Sequence, residues 1–130
     1  MAKKTTTKVK KNTVKIGSNA RAVITCTYNN TIVVITNDNG EIISWSSPGL
    51  VGFKGAKKST SYAATLCAED VGKKAMDKGV QAIDIIAKGP GNSKIAAIKG
   101  LKQSGLKVRS ISDRTPVPHN GCKPRKRRRN

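Results

Sequence analysis

Residues 80–87, VQAIDIIA, are apolar at nearly every position and lead into K88-G-P-G-N-S93. A run this short and apolar, bounded by glycine and proline, fits a strand covered on both faces, as in a parallel sheet. KGPGNS (88–93) then turns into a helical stretch at about 93–104, with Ser93 as its expected cap and Gly105 as its stop. LKVRSIS (106–112) supplies another strand. Strand, helix and strand in that order form a crossover between two parallel strands. That unit decides the fold class.

Upstream, a helix is predicted at about 60–78, capped by Ser59 or Ser61 and ended by Gly79. Lys73, Lys74 and Lys78 fall in its last turns, where the helix dipole favours cations. Ala64, Ala68, Val71 and Ala75 recur at helical spacing and give a narrow face suited to close packing on a sheet. Gly72 inside that helix costs about 1 kcal/mol relative to alanine. SPGLVGFKGAKK (47–58) holds too many glycines for a regular element and reads as a long loop. Before it, RAVITCTY (21–28), TIVVITN (31–37) and EIISWS (41–46) are strands. Asn29-Asn30, a pair that tolerates positive φ, joins the first two, and Asp38-Asn39-Gly40 joins the second and third. The order β-β-β-α-β-α-β predicts an α/β protein: a mixed five-stranded sheet with its helices packed against it.

Charge divides the 130 residues more sharply than hydropathy does. Residues 1–21 carry seven Lys or Arg and no acid, and residues 114–130 repeat that count. All seven acids lie between Asp38 and Asp113, among twelve bases, so a near-balanced body carries two cationic ends and the chain totals +19. Dense like charge resists collapse. The expected organisation is a basic extended N-terminal arm at 1–20, a globular domain at 21–113 and a basic extended C-terminal arm at 114–130. The body exceeds the roughly 40 residues below which a core needs staples. With one Phe, one Trp and two Tyr, that core must be built from Ile, Val, Leu and Ala.

Cys26, Cys67 and Cys122 are odd in number and widely spaced, which suits a reducing compartment better than a disulfide scaffold. No apolar run approaches the roughly 20 residues that cross a bilayer. The N-terminal sequence has neither the apolar stretch of a signal peptide nor the character of a transit peptide, so the protein is expected to work where it is made.

Catalytic and metal sites find little support. His119 and Cys122 are three apart, but zinc needs four converging ligands, and the other cysteines fall on a strand and a helix. GFKGAKKS (52–59) comes within one residue of the P-loop pattern, yet Lys57 stands where the second glycine must wrap phosphate. Asp38, Glu41, Asp70, Asp84 and Asp113 are scattered over several elements. Strand-borne Asp84 is the most suggestive of them as a nuclease carboxylate.

Phosphate-binding features, by contrast, agree with one another. GFKGAKKS sets three lysines on a glycine-rich loop before one helix, and KGPGNSK repeats the device before the next, with Lys88 and Lys94 flanking it. Helix N-termini offer unpaired N–H groups and partial positive charge to an anion. Phe53 is the only aromatic on an expected loop, so phosphates, sugars and shape should dominate over base stacking. Composition leaves RNA and DNA both open, the latter as a DNA-compacting protein.

D113-R-T-P-V-P-H-N-G-C-K-P-R-K-R-R-R-N130 resembles the C-terminal signature of the bacterial-type small-subunit ribosomal protein S-eleven family. Y28-N-N-T-I-V-V-I-T36, G52-F-K-G-A-K-K-S-T60 followed by Y62-A-A, and K88-G-P-G91 match in order, so the resemblance spans roughly residues 20–129. It implies an RNase H-like sheet used without catalysis, with no cofactor, metal, small-molecule substrate or membrane. It also implies a place on the 30S platform, bound to 16S-type rRNA near the messenger-RNA exit path and the Shine–Dalgarno region, in support of assembly and translation. The seventh, eighteenth and twenty-first small-subunit proteins would be neighbours. PHNGC implies a bacterial cytoplasmic or an organellar ribosome.

Carried over by position, the RNA-binding set is Asn29 and Asn30 in the first hairpin; Gly52, Lys54, Gly55, Lys57, Lys58 and Ser59 in the glycine loop; and Lys88, Gly89, Gly91 and Lys94 in the second loop. The tail adds Arg114, Pro116, Pro118, His119, Asn120, Gly121, Lys123, Arg125, Lys126, Arg127, Arg128 and Arg129. The family usually continues G-P-G-x-G-R-E, whereas this chain has Asn92, Ser93, Lys94 and Ile95 there, losing a bidentate arginine and a first-turn acid. Pro116, Pro118 and Pro124 should keep the tail extended, and Asn120-Gly121 permits a tight turn.

Overall fold

In the computed structural model of the chain, residues 17–129 are described; residues 1–16, and with them most of the expected N-terminal arm, lie outside the described residues, as does Asn130. Alternation of small apolar and polar residues makes β1 (Asn19–Cys26), whose Ala20, Ala22, Ile24 and Cys26 point inward. β2 (Thr31–Thr36) and β3 (Ile42–Ser46) follow, each paired antiparallel to the strand before it. After α1 (Ser61–Asp77), β4 (Ala82–Lys88) lies parallel to β1. After α2 (Lys94–Gln103), β5 (Lys107–Asp113) lies parallel to β4. The sheet order is β3-β2-β1-β4-β5, the mixed five-stranded sheet expected from the element order.

Both helices cover the same face. α1 packs over β2 and β3, and α2 over β1 and β4. Ile24, Val33, Ile35, Ile83 and Ile85 meet Ala64, Cys67, Ala68, Val71 and Leu101 there, all fully buried. The core is aliphatic and alanine-rich, as the composition required. This arrangement corrects the reading of 80–87 as a strand covered on both faces. Ile83, Ile85 and Ala87 are buried, whereas Ala82, Asp84 and Ile86 on the other side are only half-buried. The apolar run is one strand of a two-layer protein, and its outward Ile86 lines up with Val23, Val34 and Trp45 in a row across the open face.

Small residues set the spacing between the two helices. A Cβ on Gly72 would sit 2.1 Å from Ser104 Oγ, and one on Gly100 would sit 2.7 Å from Thr65 O. The helix-propensity cost at Gly72 is therefore offset by the close approach of the two helices.

Local boundaries shift in instructive ways. Thr60, between the two expected caps, accepts from Ala63 N through its side chain and caps α1. β1 stops at Cys26 rather than Tyr28, and Thr27 N donates to Asn30 O at 2.8 Å to close the turn. Neither Asn29 nor Asn30 takes a positive φ; among the described non-glycine residues only Asn120 does, at 59°. The loop expected at 47–58 contains one short 3₁₀ turn, Gly55–Ser59.

Candidate nucleic-acid interface

Chain direction gathers the basic loops. β1, β3, β4 and β5 run the same way, so their carboxyl ends, Cys26, Ser46, Lys88 and Asp113, share one edge of the sheet. Each crossover helix starts from that edge and runs back, which places the N-termini of α1 and α2 there as well. Neither helix has an acid in its first turn. Carboxyl edges of parallel strands are where α/β sheets collect ligands, and two helix dipoles add positive potential.

At this edge the first hairpin faces the glycine loop across a cleft of about 390 Å³, lined by Asn29, Asn30, Gly55, Ala56, Lys58 and Ser59. Two segments 25 residues apart in sequence (Asn30 and Gly55) thus meet. Asn30 Oδ1 is shielded from solvent and has no hydrogen-bond partner among the described residues. The Ser59 hydroxyl donates to Ala56 O at 2.8 Å, and the Thr60 hydroxyl donates to Lys57 O at 2.8 Å. These hydroxyls hold the 3₁₀ turn together and leave Lys54 and Lys57 exposed.

A second tie joins the glycine loop to the N-terminus of α2. Ser93 Oγ donates to Ser59 O at 3.2 Å instead of capping its own helix, which has no side-chain cap. The first N–H groups of α2 are therefore left to other acceptors.

The second loop owes its glycines to packing. A Cβ on Gly89, where φ is 112°, would lie 1.8 Å from Cys26 O. One on Gly91 would lie 2.3 Å from Cys26 Sγ and 2.5 Å from Thr27 O. These residues are small because the end of β1 presses on them. Lys88 points outward, but Lys94 Nζ is engaged by Asp113 Oδ2 at 2.7 Å and Gly89 O at 3.3 Å. Lys94, with Thr115 behind it, holds the Asp113 carboxyl far below the usual carboxylate range.

Beyond Asp113 the chain has neither helix nor strand through Arg129, and Thr115 alone is half-buried. Arg114 N donates to Ala87 O at 2.8 Å before the chain leaves the body. Pro116, Pro118, His119, Gly121, Lys123, Arg125, Lys126, Arg127, Arg128 and Arg129 are all exposed.

Sequence reasoning underestimated the aromatics. Because β1 ends early, Tyr28 sits in the turn, 76 % exposed, and Tyr62 lies in the first turn of α1, 66 % exposed. Phe53 meets Tyr62 edge-on, with ring centroids 6.1 Å apart. Three aromatics therefore flank the basic loops, a supply of stacking surfaces for unpaired bases. The signal available was the ten-residue stretch F53-K-G-A-K-K-S-T-S-Y62, whose aromatic ends bracket the turn.

Other candidate chemistry does not assemble. Among the described residues no three of His, Cys, Asp and Glu are grouped to hold a metal. Asp84 accepts from Ser110 Oγ at 3.1 Å and lies 3.8 Å from Arg109 Nε. Asp70 pairs with Lys74 on the helix surface. Cys26 and Cys67 are core residues, and burial pushes the Cys67 thiol up. None of the described helices is long and apolar enough to cross a membrane.

Residues 20–129 match the family model for Ribosomal protein S11. Small ribosomal subunit protein uS11 of Thermus thermophilus is 52% identical over 127 residues, covering 98% of this chain and 96% of its own. The proteins of the same name from Flavobacterium psychrophilum and Christiangramia forsetii are 49% and 47% identical, each over 99% of both chains.

Proposed function

The chain belongs to the ribosomal protein S11 family, and we propose that it fastens folded 16S-type rRNA on the platform of the small subunit through the carboxyl edge of its sheet. Membership in this family makes it a structural, non-enzymatic ribosomal component. One observation carries the finer reading: the hairpin turn, both glycine-rich loops, both helix N-termini and the root of the basic tail meet on a single edge.

In this reading Lys54, Lys57, Lys58 and Lys88 contact phosphates, and the first N–H groups of α2 receive one phosphate oxygen. Tyr28 and Tyr62 stack on unpaired bases. The C-terminal arm enters an RNA crevice, where its arginines replace counterions. The platform site lies beside the messenger-RNA exit path and the Shine–Dalgarno region, and the seventh, eighteenth and twenty-first small-subunit proteins are the neighbours. Occupying that site stabilises the rRNA fold during assembly.

Salt titration of binding to a 16S-type platform RNA tests this. Deleting residues 123–130 removes six basic side chains. If half of them touch phosphate, the log–log salt slope flattens by about 2 to 3. An unchanged slope would remove the arm from the interface. Preference for long duplex DNA over the structured RNA would overturn the reading as a whole.

A further inference from the structure

The residues around Asp113 form a closed set of contacts that neither the fold nor phosphate binding requires. Thr115 N donates to Asp113 Oδ1 at 3.0 Å, and the Thr115 hydroxyl donates to the same oxygen at 2.5 Å. That hydroxyl also accepts from Gly89 N at 3.2 Å. Lys94 Nζ bridges Asp113 Oδ2 at 2.7 Å and Gly89 O at 3.3 Å. Gly89 is thereby bound to the root of the tail directly through its N–H and by way of Lys94 through its carbonyl, and Gly89 is itself wedged against Cys26. An isolated ion pair at an exposed site contributes little. Here the carboxylate takes three donors, and the contacts close a ring through Gly89, which packs against the end of β1.

We infer that Asp113, Thr115 and Lys94 act as a latch that sets the direction in which the C-terminal arm leaves the body. In this role Lys94 is a positioning residue, and its charge is consumed by Asp113 rather than offered to phosphate. A chain of arginines without a fixed root must be ordered at the moment of binding, and that ordering opposes affinity. Pro116 and Pro118 lie just beyond the latch, so stiff backbone carries the fixed direction outward. The structural inference stands on the free protein alone; only its consequence for affinity rests on the rRNA-binding reading.

Pulsed electron–electron distance measurements on the free protein test it. Spin labels go on Val117→Cys and Lys73→Cys in a Cys122→Ser background, because Cys26 and Cys67 are buried. The otherwise unaltered chain should give one narrow distance distribution. Asp113→Asn and Thr115→Val should each broaden it while the melting of the body stays the same. Lys94→Met should broaden it and Lys94→Arg restore it. A distribution that is already broad before substitution, or equally narrow in every variant, overturns the latch. In parallel, Thr115→Val should weaken binding to platform rRNA by about tenfold, the loss of a preorganised element. If the distances respond but deleting residues 123–130 leaves RNA affinity unchanged, the latch stands and the rRNA reading of the arm falls.

Discussion

The two ends of the sheet are built by the same chain in opposite ways. At the far end the turn from Asn37 to Glu41 closes on itself. Glu41 N donates to Asn37 Oδ1 at 2.9 Å, Asn37 Nδ2 to Glu41 Oε2 at 3.3 Å, and Gly40 N to Asn37 O at 3.1 Å. Asp38, Glu41 and Asp77 bring acids to that end. At the carboxyl edge the turn from Thr27 to Asn30 keeps one side-chain oxygen without a partner among the described residues, and the surrounding loops carry lysines with no acid apart from Asp113. One end satisfies its own polar groups, and the other leaves charge and donors to be met from outside. That difference is what supports the carboxyl edge as the proposed RNA-binding end.

Glycine substitution should break the comparison most visibly. Gly89→Ala forces a Cβ into Cys26 O at positive φ and should destabilise the protein by about 3 kcal/mol or more in chemical denaturation. Gly40→Ala at the far end also suffers positive φ, but nothing lies within 4 Å of its Cβ, so about 1 kcal/mol is expected. Equal losses would mean that the second loop is not wedged.

Charge removal comes next. Replacing Lys54, Lys57 and Lys58 together with alanine should weaken rRNA binding by about 2 to 3 kcal/mol at low salt, while melting temperature barely moves. The loss of two lysines at the other end, Lys73 and Lys102 toward the C-termini of α1 and α2, should leave affinity within a factor of about two. Comparable effects at both ends would dissolve the distinction between them.

The two turn asparagines sharpen it further. Asn37→Ala should cost about 1 to 2 kcal/mol of stability with RNA affinity intact, because it empties a bonded turn. Asn30→Ala should change stability by less than about 0.5 kcal/mol and lower affinity severalfold, since its shielded oxygen accepts no hydrogen bond within the described protein. Swapped outcomes would place the functional turn at the other end.

The smallest effect concerns pH. A carboxylate whose folded pKa is depressed contributes stability that is present above its unfolded value and lost as pH falls through the folded one. Asp113 is held far below the ordinary range by Lys94 and Thr115, so the root of the tail should survive acidification through pH 4 and loosen only below it. The side-chain carbonyl shift of Asp113 in an NMR titration reads this directly; a midpoint near an ordinary aspartate would remove its partners.

Much of the fold was legible because its signals are local. Alternating β-branched residues, the Asp38-Asn39-Gly40 turn and the glycines at 79 and 105 each act within a few residues of themselves, and they gave five strands, two helices and their order. The second coat expected over 80–87 was misread because apolar content cannot say whether the far face of a strand meets a helix or solvent. The hairpin boundary was misread because Tyr28 suits a strand locally, while the bond from Thr27 N to Asn30 O closes the turn and ends the strand two residues earlier, at Cys26.

For the site, the sequence by itself determined charge and residue type: the lysines of both loops, the arginines of the tail, and the family to which the pattern conforms. Those properties belong to single residues, so no fold is needed to see them. Only the tertiary structure decided which of them act together. Strand direction gathered three loops and the root of the tail onto one edge, the end of β1 packed against Gly89 and Gly91, and Asp113 paired with Lys94. Such contacts join residues that are distant along the chain, and no local pattern records a partner that folding alone brings near.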